Sequence, residues 1–224
     1  MAAQAQVTTC DLVVPCRNEA LAIGALLAQV PPQFDVIVVD NGSVDGTAEV
    51  AATHGARVVV ESRPGYGAAV QAGVLAASRD LIAVMDGDGS FQPVDVLPLV
   101  TDVATGRADL ALGQRRPVRA GLVPLHARAG NALVRQWLRH RTGLDVHDIA
   151  PMRVCRRVDL LGLGVTDRRY GYPVELLLKA HLAGWRIVER DVPYYPRAAG
   201  TRSKVSGSVR GSLRAARDFA RVLT

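Results

Sequence analysis

Leu81-Ile82-Ala83-Val84-Met85-Asp86-Gly87-Asp88-Gly89-Ser90 is the stretch on which the reading of the fold turns. Its first five residues are apolar, too short a run for a helix, and they stop abruptly at a Gly/Asp turn, so they read as a strand buried on both faces. Asp86 then stands at the carboxyl end of that strand, where open α/β sheets bind their ligands. Upstream the same pattern repeats. Strands are expected at Asp11–Pro15, at Asp35–Asp40 with its buried Val-Ile-Val-Val run, and at Arg57–Glu61. Between them lie Ala-rich helical stretches at Glu19–Val30, Thr47–His54 and Tyr66–Ala77. Strand and helix in alternation is the signature of a mostly parallel sheet flanked by helices, an α/β fold of Rossmann-like architecture.

Beyond Asp88 the alternation loosens. The pattern predicts a helix near Val94–Thr105, a strand at Asp109–Gly113, an amphipathic helix over Ala127–Arg139, a helix at Tyr172–Ala183, a strand at Arg186–Val192 and a basic amphipathic helix over Ser208–Leu223. No repeat or linker interrupts the 224 residues, which suit one domain with two halves: 1–113 for the first ligand and 114–224 for a second substrate. Three cysteines without metal-pair spacing argue against a disulfide framework or a zinc site and favour a reducing, cytoplasmic setting. No signal peptide and no membrane-spanning run is expected. The net charge of +6 concentrates in the second half, so something anionic should meet it. With aromatics at 4% there are few platforms for stacking bases, and nucleic acid is not expected as the partner.

Asp86 and Asp88 flank Gly87, and two carboxylates so spaced at a strand end can share a hard cation, Mg²⁺ or Mn²⁺, that bridges a diphosphate. Two solvated aspartates in a turn are the bland alternative. Pro15-Cys16-Arg17-Asn18-Glu19 follows the first strand and Asp40-Asn41-Gly42-Ser43-Val44-Asp45-Gly46-Thr47 the second. Asp40 could accept from a base or a ribose hydroxyl, Gly42 and Ser43 sit in a turn offering backbone donors, and Asp45 or Thr47 could simply cap the next helix. In Arg63-Pro64-Gly65-Tyr66-Gly67 two glycines permit close backbone approach to phosphate or sugar; the third glycine of a dinucleotide fingerprint is missing, which argues against NAD.

These motifs, in this order and spacing, resemble glycosyltransferase family 2, in particular its dolichyl-phosphate-mannose-synthase-like branch. The resemblance continues through Gly113-Gln114-Arg115, Asp148–Arg153, Gly171-Tyr172-Pro173-Val174-Glu175, Pro196-Arg197 and Gly200-Thr201-Arg202-Ser203-Lys204. It implies a GT-A fold and an inverting transfer from a nucleotide sugar of the GDP-mannose or UDP-glucose type. By position, Pro15, Arg17, Asn18, Glu19, Asp40, Gly65 and Gly67 would surround the nucleotide. Asp86 would touch ribose or metal, Asp88 would coordinate the metal directly, and Ser90 would be its polar neighbour. Arg115, Arg128, Arg153, Arg197, Ser203 and Lys204 match places that hold phosphate groups in the lipid-phosphate branch. Glu175 is either a core carboxylate or a partner orienting those arginines.

Asp148 separates two mechanisms. A hydroxyl acceptor needs a carboxylate base, and Asp148, with His147 beside it, leads that role; a phosphate acceptor is already ionised, and Asp148 then organises the site. Ile149-Ala150-Pro151-Met152-Arg153 departs from the Ser-Gly-Phe-Arg common in the branch, although the Arg stays. Polyprenyl phosphate is the first-choice acceptor, a soluble phosphorylated metabolite or other small molecule the alternative. A sugar-phosphate nucleotidyltransferase and a non-catalytic nucleotide-sugar-binding module are the readings of other classes. The arginine-bearing terminal helix leaves open peripheral contact with an anionic membrane, packing on the domain, or a homodimer.

Overall fold

The computed structural model describes residues 9–200 and 217–219. Its strands and helices, in chain order, are β1 (Cys10–Cys16), α1 (Ala20–Leu27), β2 (Phe34–Asp40), α2 (Thr47–Thr53), β3 (Arg57–Val60), α3 (Tyr66–Ala76) and β4 (Leu81–Val84). A single 3₁₀ turn (Pro93–Val96) leads into α4 (Leu97–Ala104), followed by β5 (Leu110–Pro117), α5 (Leu125–Thr142), β6 (Met152–Arg156), α6 (Arg157–Gly162), α7 (Tyr172–Leu182) and β7 (Ile187–Tyr194). The strands form one sheet in the order β3-β2-β1-β4-β6-β5-β7. β6 alone runs antiparallel, wedged between β4 and β5.

Period-two alternation along the strands divides their side chains between two apolar layers. Val13, Ile37, Ile82 and Leu110 point to the layer closed by α3, α5 and α7, while Leu12, Val38, Ala83 and Ala111 point to the layer closed by α1 and α4. The approach of α3 is set by Gly73: a Cβ there would meet Val13 Cγ1 at 2.3 Å, so only glycine lets this helix lie so near β1.

The strands and helices expected upstream of Asp88 are all present, with ends shifted by at most three residues, and so are the later elements up to β7. β6 and α6 were not foreseen: Met152–Arg156 is a five-residue strand with arginine at two positions, without the β-branched run that marked the others. Most of the expected terminal helix, with Arg202, Ser203 and Lys204, lies outside the described residues; Arg217–Phe219 is helical, and Phe219 packs against the α3/α5/α7 layer.

Candidate active site

The carboxyl ends of β1, β2 and β4 open onto one cleft of about 150 Å³, lined by Pro15, Arg17, Glu19, Asp86, Gly87, Asp88 and Arg197 together with Asn41, Gly65 and Tyr66. Its walls are three loops tied in series. The Asn18 N–H donates to Ser43 Oγ at 2.9 Å and its Oδ1 accepts from the Val44 N–H at 2.9 Å. Asn18 holds a left-handed φ of 55°, which Asn tolerates better than most residues. The N–H groups of Glu19 and Ala20, which open α1, donate to Thr47 Oγ1 and Asp45 Oδ2. Asp45 also accepts from the Thr47 N–H at 3.1 Å, so it braces two helix starts at once. Asn41 then clamps the third loop: Nδ2 donates to the carbonyls of Glu61 and Arg63, and Oδ1 accepts from the Gly65 N–H at 2.8 Å.

Several expected ligand contacts therefore have a structural partner. Asp40 is buried and accepts from the Ser43 N–H at 3.2 Å, so Asp40 and Ser43 hold a turn beside the cleft; neither they nor Gly42 lines it. Gly65 and Gly67 make a close backbone approach, but to the chain itself. A Cβ on Gly65, at φ 148°, would meet the Arg168 carbonyl oxygen at 2.1 Å, and one on Gly67 the Asp167 carbonyl oxygen at 2.6 Å. Gly65 still borders the cleft; Gly67 is buried away from it. Glu175 explains that neighbour. Its carboxylate accepts from the N–H groups of Thr166 and Asp167 and pairs with Lys179, and although burial works the other way, these bonds hold it below the usual carboxylate range. Glu175 thus shapes the 166–169 loop and contacts no site arginine.

The two metal candidates are close enough to repel. Burial first, then the Asp88 charge, pushes the Asp86 carboxyl up to about 6, against the pull of Arg197, Arg153 and Arg115. Asp88 is buried; its Oδ1 accepts from the Ser90 N–H at 3.0 Å and from Ser90 Oγ at 2.5 Å, and its Oδ2 pairs with Arg197 Nη1. Backbone bonds from Tyr195 N–H to the Ser90 carbonyl and from Ala198 N–H to the Asp88 carbonyl lay the Arg197 segment along the Asp86–Ser90 turn. Asp86 and Asp88 offer the hard oxygens that Mg²⁺ or Mn²⁺ prefers. Among the described residues no three His, Cys, Asp or Glu side chains converge. This partial set suits a cation whose remaining positions are filled by phosphate oxygens and water.

On the other side, Arg115 Nε and Nη2 make a bidentate fork to Asp148 at 2.7 and 2.5 Å, and the Arg115 N–H adds a third bond at 3.1 Å. Both Asp148 oxygens are so engaged. His147 donates its N–H and turns Nδ1 to Glu189, whose Oε1 also accepts from the Asp148 N–H. Arg153 is 3% exposed, donates from Nη1 to the Tyr66 hydroxyl at 3.1 Å and lies 5.9 Å from that ring's centre. Its buried Nε has no hydrogen-bond partner among the described residues, and no described carboxylate lies within ion-pair distance of it. Arg128 is exposed on the first turn of α5, apart from the cluster. Asn41 and Tyr66 were missed as cleft residues. The Tyr66 phenol, raised by burial, packs where only the register of β6 brings Arg153 to it.

Comparison with known proteins agrees with this geometry. The sequence matches glycosyl transferase family 2 over residues 11–159. An uncharacterized glycosyltransferase of Mycobacterium tuberculosis is 55% identical over 95% of this chain and 97% of its own length. A dolichyl-phosphate hexose transferase of Haloferax volcanii is 35% identical over 85% of each chain. The crystal structure of glucosyl-3-phosphoglycerate synthase from M. tuberculosis with Mn²⁺, uridine diphosphate and glucosyl-3-phosphoglycerate superposes with a TM-score of 0.73 at 25% identity, over 96% of this chain and 78% of that one. The fold is that of GT-A glycosyltransferases, and the chain belongs to glycosyl transferase family 2, in its dolichyl-phosphate-mannose-synthase-like branch.

Proposed function

We propose that the protein transfers a hexose from a nucleotide sugar to a phosphate oxygen of its acceptor, with polyprenyl phosphate the first-choice acceptor. The observation that carries this reading is the state of Asp148. A general base must be free to take a proton, yet both its oxygens are held by the Arg115 guanidinium, while Arg115, Arg153 and Arg197 all bear electrostatically on Asp86. A site rich in guanidinium and short of a free base on the acceptor side suits an anionic acceptor. A phosphate monoester loses its second proton near pH ~6, so it attacks without a base.

Mg²⁺ or Mn²⁺ at Asp86 and Asp88 would neutralise charge on the departing nucleoside diphosphate. The loops after β1 and β2 would seat the nucleotide, with Pro15, Arg17, Asn18 and Glu19 nearest. Arg153 and Arg197 would hold phosphate oxygens, and Arg115, oriented by Asp148, would face the acceptor. One acceptor oxygen forms the new bond to the anomeric carbon as the bond to the diphosphate breaks, so the configuration inverts.

A soluble phosphorylated acceptor is the second reading, favoured by the similarity to glucosyl-3-phosphoglycerate synthase across nearly the whole chain. Radiolabelled GDP-mannose and UDP-glucose, each offered with polyprenyl phosphate or 3-phosphoglycerate and Mn²⁺, separate the two. Label in the organic phase supports the lipid acceptor. Label in a water-soluble product moves the assignment to the small one, and label in neither with every donor overturns phosphate glycosylation.

A further inference from the structure

The longest helix of the described residues, α5, presents a face that the active site does not use. From Leu110 to Gly143 the chain carries seven arginines and no Asp or Glu. Val134 and Leu138 are buried against the core, whereas on the opposite face Leu125 is 79% exposed and Leu133 is 72% exposed. Spaced by two turns, these leucines share one stripe with Ala129 and Ala132, both exposed. Arg128 and Arg139 flank the stripe on one side, His126 and His140 on the other, and Val118 in the preceding turn is 50% exposed. Arg119, Arg128 and Arg141 form no ion pair with a described carboxylate, although Arg116 in the same segment and Arg79, Arg107, Arg156 and Arg186 elsewhere on the surface do.

An apolar centre bordered by arginines, over a segment without a single carboxylate, is the complement of an anionic lipid surface: leucines enter the acyl boundary while guanidiniums stay with the head groups. An acidic protein would match the charge but leave the leucine stripe without a reason. We propose that this face of α5, with the 117–124 turn before it, docks the protein on an anionic bilayer. The face is fixed relative to the cleft, because Asn131 Oδ1 accepts from the Ile149 N–H at 3.1 Å and Arg135 Nε donates to the Val146 carbonyl at 2.6 Å. Those bonds join α5 to the segment carrying Asp148, so a bilayer on the outer face lies beside the acceptor side of the site. The purpose of the docking rests on the lipid-phosphate reading; the docking itself does not.

Full-length protein, without donor or acceptor, is sedimented with sucrose-loaded vesicles of phosphatidylcholine alone or with about a third phosphatidylglycerol. Binding to the anionic vesicles should be at least about tenfold stronger than to neutral ones and should weaken as salt is raised. Leu125→Gln/Leu133→Gln should lower that binding about tenfold while leaving the thermal shift given by nucleotide and metal unchanged, since both side chains are solvent-facing in the free protein. Vesicle binding unaffected by the double substitution would hand the contact to the arginine-bearing 202–221 segment and overturn the proposal. So would a wild-type protein that ignores anionic vesicles, or one that dimerises through this face in sedimentation equilibrium and is dispersed by the substitution. Vesicle binding with no transfer to polyprenyl phosphate would sink the acceptor assignment alone.

Discussion

Arg197→Ala probes the point where the site's electrostatics are most concentrated. Arg197 and Asp88 pair with side-chain exposures of 27% and 4%, so the carboxylate is deep and the guanidinium partly wet. Removing one partner of a fully buried pair costs ~3–5 kcal/mol, because the survivor is left charged and dry. Asp88 keeps two donors from Ser90, and the partial exposure of Arg197 trims the loss, leaving about 2 kcal/mol. For a chain of this length that is a fall of roughly 4–8 °C in the Tm of metal-free protein. Arg116→Ala, which breaks the Arg116–Asp191 pair at 57% and 59% exposure, should stay within about 2 °C. The metal response should move the opposite way. Mn²⁺ must displace the guanidinium from Asp88 in the wild type but not in Arg197→Ala, so the Mn²⁺-induced rise in Tm should be larger in the variant. Transfer activity should nonetheless fall by about a hundredfold or more, as a phosphate-holding donor is gone. Differential scanning fluorimetry with and without Mn²⁺ reads both effects. An unchanged metal-free Tm, or the same Mn²⁺ shift in both proteins, would mean that the Arg197–Asp88 pair neither stabilises the fold nor competes with the metal.

Asp86 should give the metal-free protein a pH signature. Its folded pKa lies above its unfolded one, so the stability it lends is full below about pH 4 and is lost as pH rises through about 6, a span of about 1–3 kcal/mol. Tm should fall over that window in EDTA, less so in Asp86→Asn, and an equal slope in both would remove Asp86 as the source. Asp148→Asn breaks the charged half of the Arg115 fork; if Asp148 organises rather than takes a proton, kcat should drop with no change in the pH profile, whereas loss of an acidic limb would make it the base. Gly67→Ala pushes a Cβ to 2.6 Å from the Asp167 carbonyl oxygen and 2.8 Å from Tyr172 Cβ and should cost ~1–3 kcal/mol in urea denaturation. A neutral outcome would return Gly67 to the ligand-binding role that the sequence suggested.

The strands β1 to β4 were legible because buried parallel strands are written as short β-branched runs broken by Gly and Asp, a local signal. The carboxylates of the Asp86–Asp88 turn were legible for the same reason, since strand ends in this topology are where ligands sit. β6 was not, because its place between β4 and β5 is a pairing between distant segments and its five residues carry no alternation strong enough to stand alone. That register also explains the omission of Tyr66, which becomes a site residue only when β6 delivers Arg153 to its hydroxyl. Motif position set Asp40 and Gly67 beside the nucleotide without recording that each also has a backbone neighbour, and of the two readings of Glu175 the structure shows the core carboxylate satisfied by hydrogen bonds. Arg197 was found by position, but its contact with Asp88 depends on the segment after β7 returning over the turn after β4, which no local pattern records.

The proposed chemistry depends on a nucleoside-diphosphate site completed by a divalent cation at Asp86 and Asp88. A thermal-shift panel of GDP, UDP, dTDP and their common sugars, each with and without Mn²⁺, on wild type and Asp88→Ala reads that dependence. One nucleotide should raise the wild-type Tm only when metal is present, and Asp88→Ala should keep its fold but lose this response. No shift with any nucleotide in the presence of metal, or the same shift in Asp88→Ala, would contradict it.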